Sequence, residues 1–159
     1  MQPENLIEII SKHPFIGGLD PKYLELLVGC ATNMTYKKGD YIFHEGEFAS
    51  KLYLIRTGRV ALEIKPGQRD AMRIQTIEAG GVLGWSFLIS PFKWHFDAVA
   101  VEEVRAFALD GKCLRTKCET DHDFGYEMLK RLSEVMESRL QATRLQLIDF
   151  YAGPKGAHV

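Results

Sequence analysis

From about Thr32 to Leu109 the chain alternates apolar and polar residues in short runs, each ending where a backbone must turn. Val60, Leu62 and Ile64 alternate with Ala61, Glu63 and Lys65, the period-2 pattern of a half-buried strand. Met72, Ile74 and Thr76 alternate in the same way with Arg73, Gln75 and Ile77, and Lys65-Pro66-Gly67-Gln68 reads as the hairpin turn between the two runs. Phe96, Ala98 and Ala100 oppose Asp97, Val99 and Val101. Gly39, Gly46 and Gly58 interrupt β-branched and aromatic stretches and mark corners. Many short strands at near-regular spacing predict a sandwich or jelly roll.

Helical periods flank this block. Leu6, Ile7 and Ile10 share one helical face, and Pro14 stops that helix. Asp20-Pro21 reads as the N-cap and first residue of a second helix, with Leu24, Leu27, Val28 and Ala31 as its stripe. After the strands, Asp110 to Glu119 predicts a short helix, and Asp121 caps a long one to about Phe150. On it Leu129, Met136, Leu140, Thr143, Leu147 and Phe150 form a heptad-like seam, with Arg131, Glu134, Glu137, Arg139 and Arg144 off it. The expected organisation is a β-barrel with N-terminal helices over 1–120, a long helix over 121–150 and a tail over 151–159.

Composition narrows the function classes. At 159 residues and 46% hydrophobic the chain can bury a core. A formal net charge of −1 without a basic stripe argues against a nucleic-acid surface. The N-terminus lacks a basic, then apolar, leader pattern, and no apolar run is long enough for a membrane helix, so a cytoplasmic location without membrane contact is expected. Cys30, Cys113 and Cys118 make an odd count without metal-type spacing and read as reduced thiols.

Gly39-Asp40-Tyr41-Ile42-Phe43-His44-Glu45-Gly46-Glu47, then Leu52-Tyr53-Leu54-Ile55 and Gly58-Arg59-Val60, resemble the cyclic-nucleotide-binding domain of bacterial regulators of the catabolite-activator/FNR type. The long helix resembles the dimer helix of those activators, most clearly at Arg139-Leu140-Gln141-Ala142-Thr143. The resemblance covers nearly the whole chain. It implies a mainly β fold with flanking helices: a double-stranded β-helix (jelly-roll) barrel plus a long C-terminal dimerisation helix. It also implies a homodimer with its interface at Leu129, Met136, Leu140, Thr143, Leu147 and Phe150.

Glu78-Ala79-Gly80-Gly81-Val82-Leu83-Gly84-Trp85-Ser86-Phe87-Leu88 aligns with the phosphate-binding cassette of that family. A glycine turn opening a short helix directs backbone N–H groups at an anion, which makes Gly84, Trp85, Ser86, Phe87 and Leu88 candidate ligand residues. Two positions depart from the family. Its acidic ribose-binding residue is replaced by Trp85, and its phosphate-binding arginine falls on Trp94, with Lys93 and His95 beside it and Lys93 as a displaced cation if the loop alignment shifts by one. Losing one partner of a buried charged hydrogen bond costs about 2–5 kcal/mol, roughly 30-fold to several thousandfold in affinity. Cyclic AMP and cyclic GMP are therefore expected to bind at about a hundred micromolar or worse. Tryptophan either plugs the cavity or offers a π face to an altered planar ligand. Because the two family positions face one ligand, Trp85 and Trp94 are expected to wall the pocket together. Thr143 corresponds to the threonine that reaches the purine, or packs as a small seam residue.

A cupin-type metal enzyme is the rival on a barrel of this kind, and it needs several histidines and a carboxylate converging. His44, Glu45, His95 and His122 are scattered and form no H-x-H pair, so no catalytic residue, metal ligand or enzymatic activity is expected. The nine residues after Phe150 are too few for a recognition helix and its support, so direct DNA binding is not expected. The resulting expectation is a non-enzymatic sensor or adaptor in bacterial signalling with a degenerate or altered pocket, acting on a protein partner. No cofactor is expected beyond a weakly held cyclic nucleotide. The alternative is a transcription regulator acting with a DNA-binding partner.

Overall fold

In the computed structural model, which describes residues 3–152, two helices lead into eight strands and two helices follow. They are α1 (Pro3–Ser11), α2 (Pro21–Val28), β1 (Ala31–Tyr36), β2 (Tyr41–Phe43), β3 (Lys51–Thr57), β4 (Val60–Ile64), β5 (Met72–Ile77), β6 (Val82–Leu83), β7 (Asp97–Ala100), β8 (Val104–Asp110), α3 (Gly111–Thr120) and α4 (His122–Ala152). The strands form two antiparallel sheets of four, in the orders β1-β8-β3-β6 and β2-β7-β4-β5. This is the predicted jelly roll. Gly39, Gly46 and Gly58 all take positive φ at its corners. At Gly58 a Cβ would stand 2.1 Å from the Glu103 carbonyl oxygen, so the chain crossing there admits no side chain.

Burial explains where strict alternation holds and where it fails. In β3, Leu52 and Leu54 face a cluster under the helices, while Tyr53 and Ile55 face the barrel interior. In β8, Phe107 and Leu109 take the helical side and Ala106 and Ala108 the inner side. A strand covered on both faces reads as a continuous apolar run. In β4–β5 the pairing shifts after Leu62↔Gln75 to Glu63↔Arg73, leaving Ile74 as a bulge. The bulge shifts the phase of β5 and sets Met72 on the face of Ile77; Ile77, opposite Val60, is buried, while Met72 at the hairpin end is exposed.

Three aspartates start three helices: Asp20 and Asp121 as expected, and Asp110, expected as the first helical residue, as the cap of α3. Asp20 accepts from Lys22 N at 3.0 Å, Asp110 from Cys113 N at 2.9 Å and Asp121 from Phe124 N at 3.1 Å. α4 continues to Ala152, two residues beyond the expected Phe150; Gly153–Val159, most of the expected tail, lie outside the described residues. Phe124, Met128 and Leu132 anchor the first half of α4 to the helical cluster. From Thr143 onward every described residue of α4 is exposed.

One expectation is corrected. Cys30 and Cys113 are joined in a disulfide across 83 residues, and only Cys118 is free. The bond ties the start of β1 to the first turn of α3. Nothing local marks the pair, because its members meet only once β1 and β8 are zipped together.

Candidate functional site

The cassette begins where β6 ends. Gly84 adopts φ 99°, ψ 38°, and the next four residues, Trp85–Leu88, form a short 3-10 helix. Positive φ at Gly84 turns the chain at no Cβ cost. Ser86 and Phe87 are buried, whereas Trp85 and Leu88 are half-buried against the helical cluster. Arg115 of α3 donates from Nη1 to the Phe87 carbonyl and sets its guanidinium 4.7 Å over the Phe92 ring. One side chain thereby joins the cassette to the returning loop.

That loop is laced to the turn at Gly46 and Glu47. Trp94 N donates to the Glu47 carbonyl at 3.0 Å, and Gly46 N donates to the Trp94 carbonyl at 2.9 Å. The pairing fixes which side chains point inward. Trp94 is 4% exposed and lies in the barrel interior, while its neighbours Lys93 and His95 are exposed. The indole stacks on Phe43 with centroids 3.9 Å apart and planes 10° apart, and Tyr53 flanks it at 6.5 Å. A Cβ built on Gly84 would fall 2.6 Å from the Trp94 Cη2 atom. The ring thus rests against the cassette glycine. Burial raises the Tyr53 phenol well above its usual range and also raises that of Tyr36, its hydrogen-bond partner.

Trp85 goes elsewhere. Its ring packs with the helical cluster, and the Arg139 guanidinium of α4 stands 4.7 Å over it. Among the described residues no ring contact joins Trp85 to Trp94, which belong to different clusters. Gly84 and Trp94 are brought together; Trp85, Lys93 and His95 are not added to them. Thr143 is exposed, and its hydroxyl donates back to the Arg139 carbonyl at 2.9 Å. On the seam, Met136 is half-buried on the helical cluster, whereas Leu129, Leu140, Leu147 and Phe150 are exposed.

Three contributors escaped the sequence reading: Phe43, Arg115 and Arg139. Phe43 was visible only as an apolar residue before a glycine corner. Arg115 and Arg139 act across the fold, and a lone arginine on a helix carries no local sign that it will be buried. His44 lies 3.6 Å from Asp97 and stacks on Tyr41. Among the described residues no three His, Cys, Asp or Glu side chains converge as metal ligands, and no helix is long and apolar enough to cross a membrane.

An eight-stranded jelly roll with a glycine-led turn after β6 and a long helix alongside is the architecture of the cyclic-nucleotide-binding fold. The family model of the cyclic nucleotide-binding domain matches residues 33–121, and the chain belongs to that family. It is 28% identical over 145 residues to cyclic nucleotide-gated ion channel 2 of Arabidopsis thaliana, covering 82% of this chain and 19% of the channel. It is 22% identical over 142 residues to the CRP-like cAMP-activated global transcriptional regulator of Mycobacterium tuberculosis, covering 89% of this chain and 62% of the regulator. The chain thus spans less than two thirds of either relative. A cyclic nucleotide-binding protein of Geobacter metallireducens GS-15 shares the fold with a TM-score of 0.75 at 24% identity, over 88% of this chain and 98% of that one.

Proposed function

We propose that this chain is a non-catalytic regulatory domain of the cyclic-nucleotide-binding type whose barrel pocket is closed by its own Trp94, and that it signals as a homodimer through α4. One observation carries the reading: the indole stacked on Phe43 lies where a Cβ on Gly84 would come within 2.6 Å of it. An interior packed this closely has no room for a cyclic phosphate beside Gly84. Lys93, the cation expected to stand in for the arginine, is exposed. Dimerisation rests on the apolar side chains that α4 exposes, including Leu140 at 52%, Leu147 at 52% and Phe150 at 78%. The domain then works as an adaptor whose output is read by a protein partner.

Calorimetry with cyclic AMP and cyclic GMP tests the closed pocket: binding at about a hundred micromolar or weaker is expected, and low-micromolar binding overturns it. The likeness to the mycobacterial transcriptional regulator favours a second reading, in which the same dimer regulates transcription through a DNA-binding partner. A mobility shift that appears only with such a partner present would select it.

A further inference from the structure

The Cys30–Cys113 bond has two unequal ends. Cys30 is 6% exposed within the helical cluster, whereas Cys113 is half-buried at its margin. A cleft of about 300 Å³ reaches Cys113 between Asp110, Lys112, Thr116 and Lys117. The Asp110 carboxylate is engaged there, accepting from Cys113 N at 2.9 Å. The cleft thus sets two lysines against one aspartate. Cys113 is also the third residue of α3, and a helix start with lysines beside it favours a thiolate over a thiol.

The same turn of α3 grips the cassette. A Cβ on Gly111 would stand 3.0 Å from the Phe87 Cβ, and Gly111 N donates to the Ser50 carbonyl at 2.8 Å. Arg115 donates to the Phe87 carbonyl and covers the Phe92 ring. Cys113 therefore lies midway between the two α3 residues that meet Phe87. Leu114, 1% exposed in the helical cluster, holds α3 on the barrel independently of the disulfide. Cys118 does not compete as a reactive thiol, because burial pushes its pKa up to about 11.

We propose that Cys113 is a thiol–disulfide exchange site for a small anionic thiol, and that α3 relays its state to the cassette. The incoming thiolate attacks the Cys113 sulfur through the cleft. The Cys30–Cys113 bond breaks, and Cys30 leaves as a thiolate that takes a proton from water. A second molecule of the same thiol attacks the outer sulfur of the mixed disulfide and releases Cys113 as a thiolate. The protein disulfide is thereby reduced to two thiols, and two small thiols are oxidised to one disulfide; the reverse sequence closes the bond again. Access sets the direction, since Cys113 is reached from the cleft and Cys30 is buried. Opening the bond frees the first turn of α3 from β1. Leu114 keeps the helix docked, while the Gly111 and Arg115 contacts with Phe87 loosen.

The test uses the full chain with glutathione, an anionic thiol, and β-mercaptoethanol, a neutral one. Both should open the bond in the folded protein. Lys112→Gln combined with Lys117→Gln should slow glutathione by about threefold or more relative to β-mercaptoethanol. With oxidised glutathione, mass spectrometry should find an adduct on Cys113 in Cys30→Ser and none on Cys30 in Cys113→Ser. Hydrogen exchange then reads the relay: amides in 85–92 should exchange faster in the reduced chain, with β4 and β7 unchanged. In Arg115→Gln they should exchange fast in both redox states. Exchange with thiols only after denaturation, or adducts on Cys30, overturns the site. Equal slowing of both thiols overturns the anionic class. Unchanged exchange at 85–92, or outright unfolding on reduction, overturns the relay and leaves the bond a strut. None of these outcomes depends on whether cyclic nucleotides bind the barrel.

Discussion

The Trp94 indole rests on Gly84 so closely that a Cβ there would meet Cη2 at 2.6 Å and Cζ3 at 2.8 Å. Two residues ten positions apart thus form one packed unit in the barrel, with Phe43 stacked on the ring. Truncating the indole leaves a large hole in a close-packed interior. Trp94→Ala should destabilise the fold by about 3–5 kcal/mol. Gly84→Ala should also destabilise, since it meets both the ring and the Lys51 carbonyl oxygen at 3.0 Å from a backbone at φ 99°. Urea unfolding with an unchanged slope measures both, and a Trp94→Ala loss under about 1 kcal/mol would mean that the ring lines an open site.

Replacing the plug with the residue type that family members use should move ligand binding in a definite direction. Trp94→Arg removes bulk beside Gly84 and adds a cation pointing inward, because the Glu47 and Gly46 backbone bonds fix the direction of residue 94. Cyclic AMP affinity should rise by about tenfold over the starting protein. Trp85→Glu should give no comparable gain, since position 85 faces Arg139 of α4. Calorimetry on the two single variants decides this, and the reverse ranking would show that Trp85 faces the ligand.

The fold was legible because its signals were local and repeated. The glycine corners, the β4 alternation and the caps at Asp20 and Asp121 each act within a few residues. The candidate site was only partly legible. Alignment brought positions 84, 85 and 94 into view, but the side toward which each ring turns depends on distant partners. Trp94 is aimed by its pairing with residues 46 and 47, and Trp85 by a helix more than fifty residues later. The disulfide was hidden for the same reason: Cys30 and Cys113 carry no spacing signal across 83 residues.

That disulfide closes a long loop, and in the chain-entropy account such a cross-link stabilises by about 4 kcal/mol through the unfolded state. Reduction should therefore lower the melting temperature, and Cys30→Ser should reproduce the shift without reductant. Under denaturing, non-reducing conditions thiol titration should find one reactive group, Cys118, and three after reduction. Three thiols in unreduced, air-equilibrated protein would refute the pairing.

The second half of α4 presents Leu140, Leu145, Leu147, Ile148, Phe150 and Tyr151, each at least 52% exposed. Pairing two such helices about a twofold axis buries the stripe of Leu140, Leu147, Phe150 and Tyr151 on both copies. Light scattering at micromolar concentration should give twice the 18.1 kDa chain mass. Leu140→Glu should shift it to one chain mass while leaving the barrel folded, because Leu140 does not contribute to either core cluster. A monomer from the unaltered chain, or a dimer that survives Leu140→Glu, argues against this interface.

His13 makes stability depend on pH in a predictable direction. Its ring is 6% exposed in the turn after α1, with Nε2 3.0 Å from the Ile55 carbonyl and Nδ1 accepting from Phe15 N at 3.1 Å. Both bonds are satisfied by the neutral ring with its proton on Nε2. A second proton on Nδ1 would confront the Phe15 N–H. Burial lowers the His13 pKa below the ordinary 6.5, outweighing backbone bonds to Ile55 and Gly81 that act the other way. Between the folded value and 6.5 the unfolded chain binds the extra proton and the folded chain does not. The His13 contribution is therefore whole above 6.5, declines as the pH falls below it, and levels off below the folded value, with a slope of at most about 1.4 kcal/mol per pH unit. Urea unfolding of the wild type and His13→Gln across this range isolates the term from the carboxylates, which both proteins share. The difference in stability should shrink toward acid, and a difference that stays flat or widens would show that His13 is protonated in the fold.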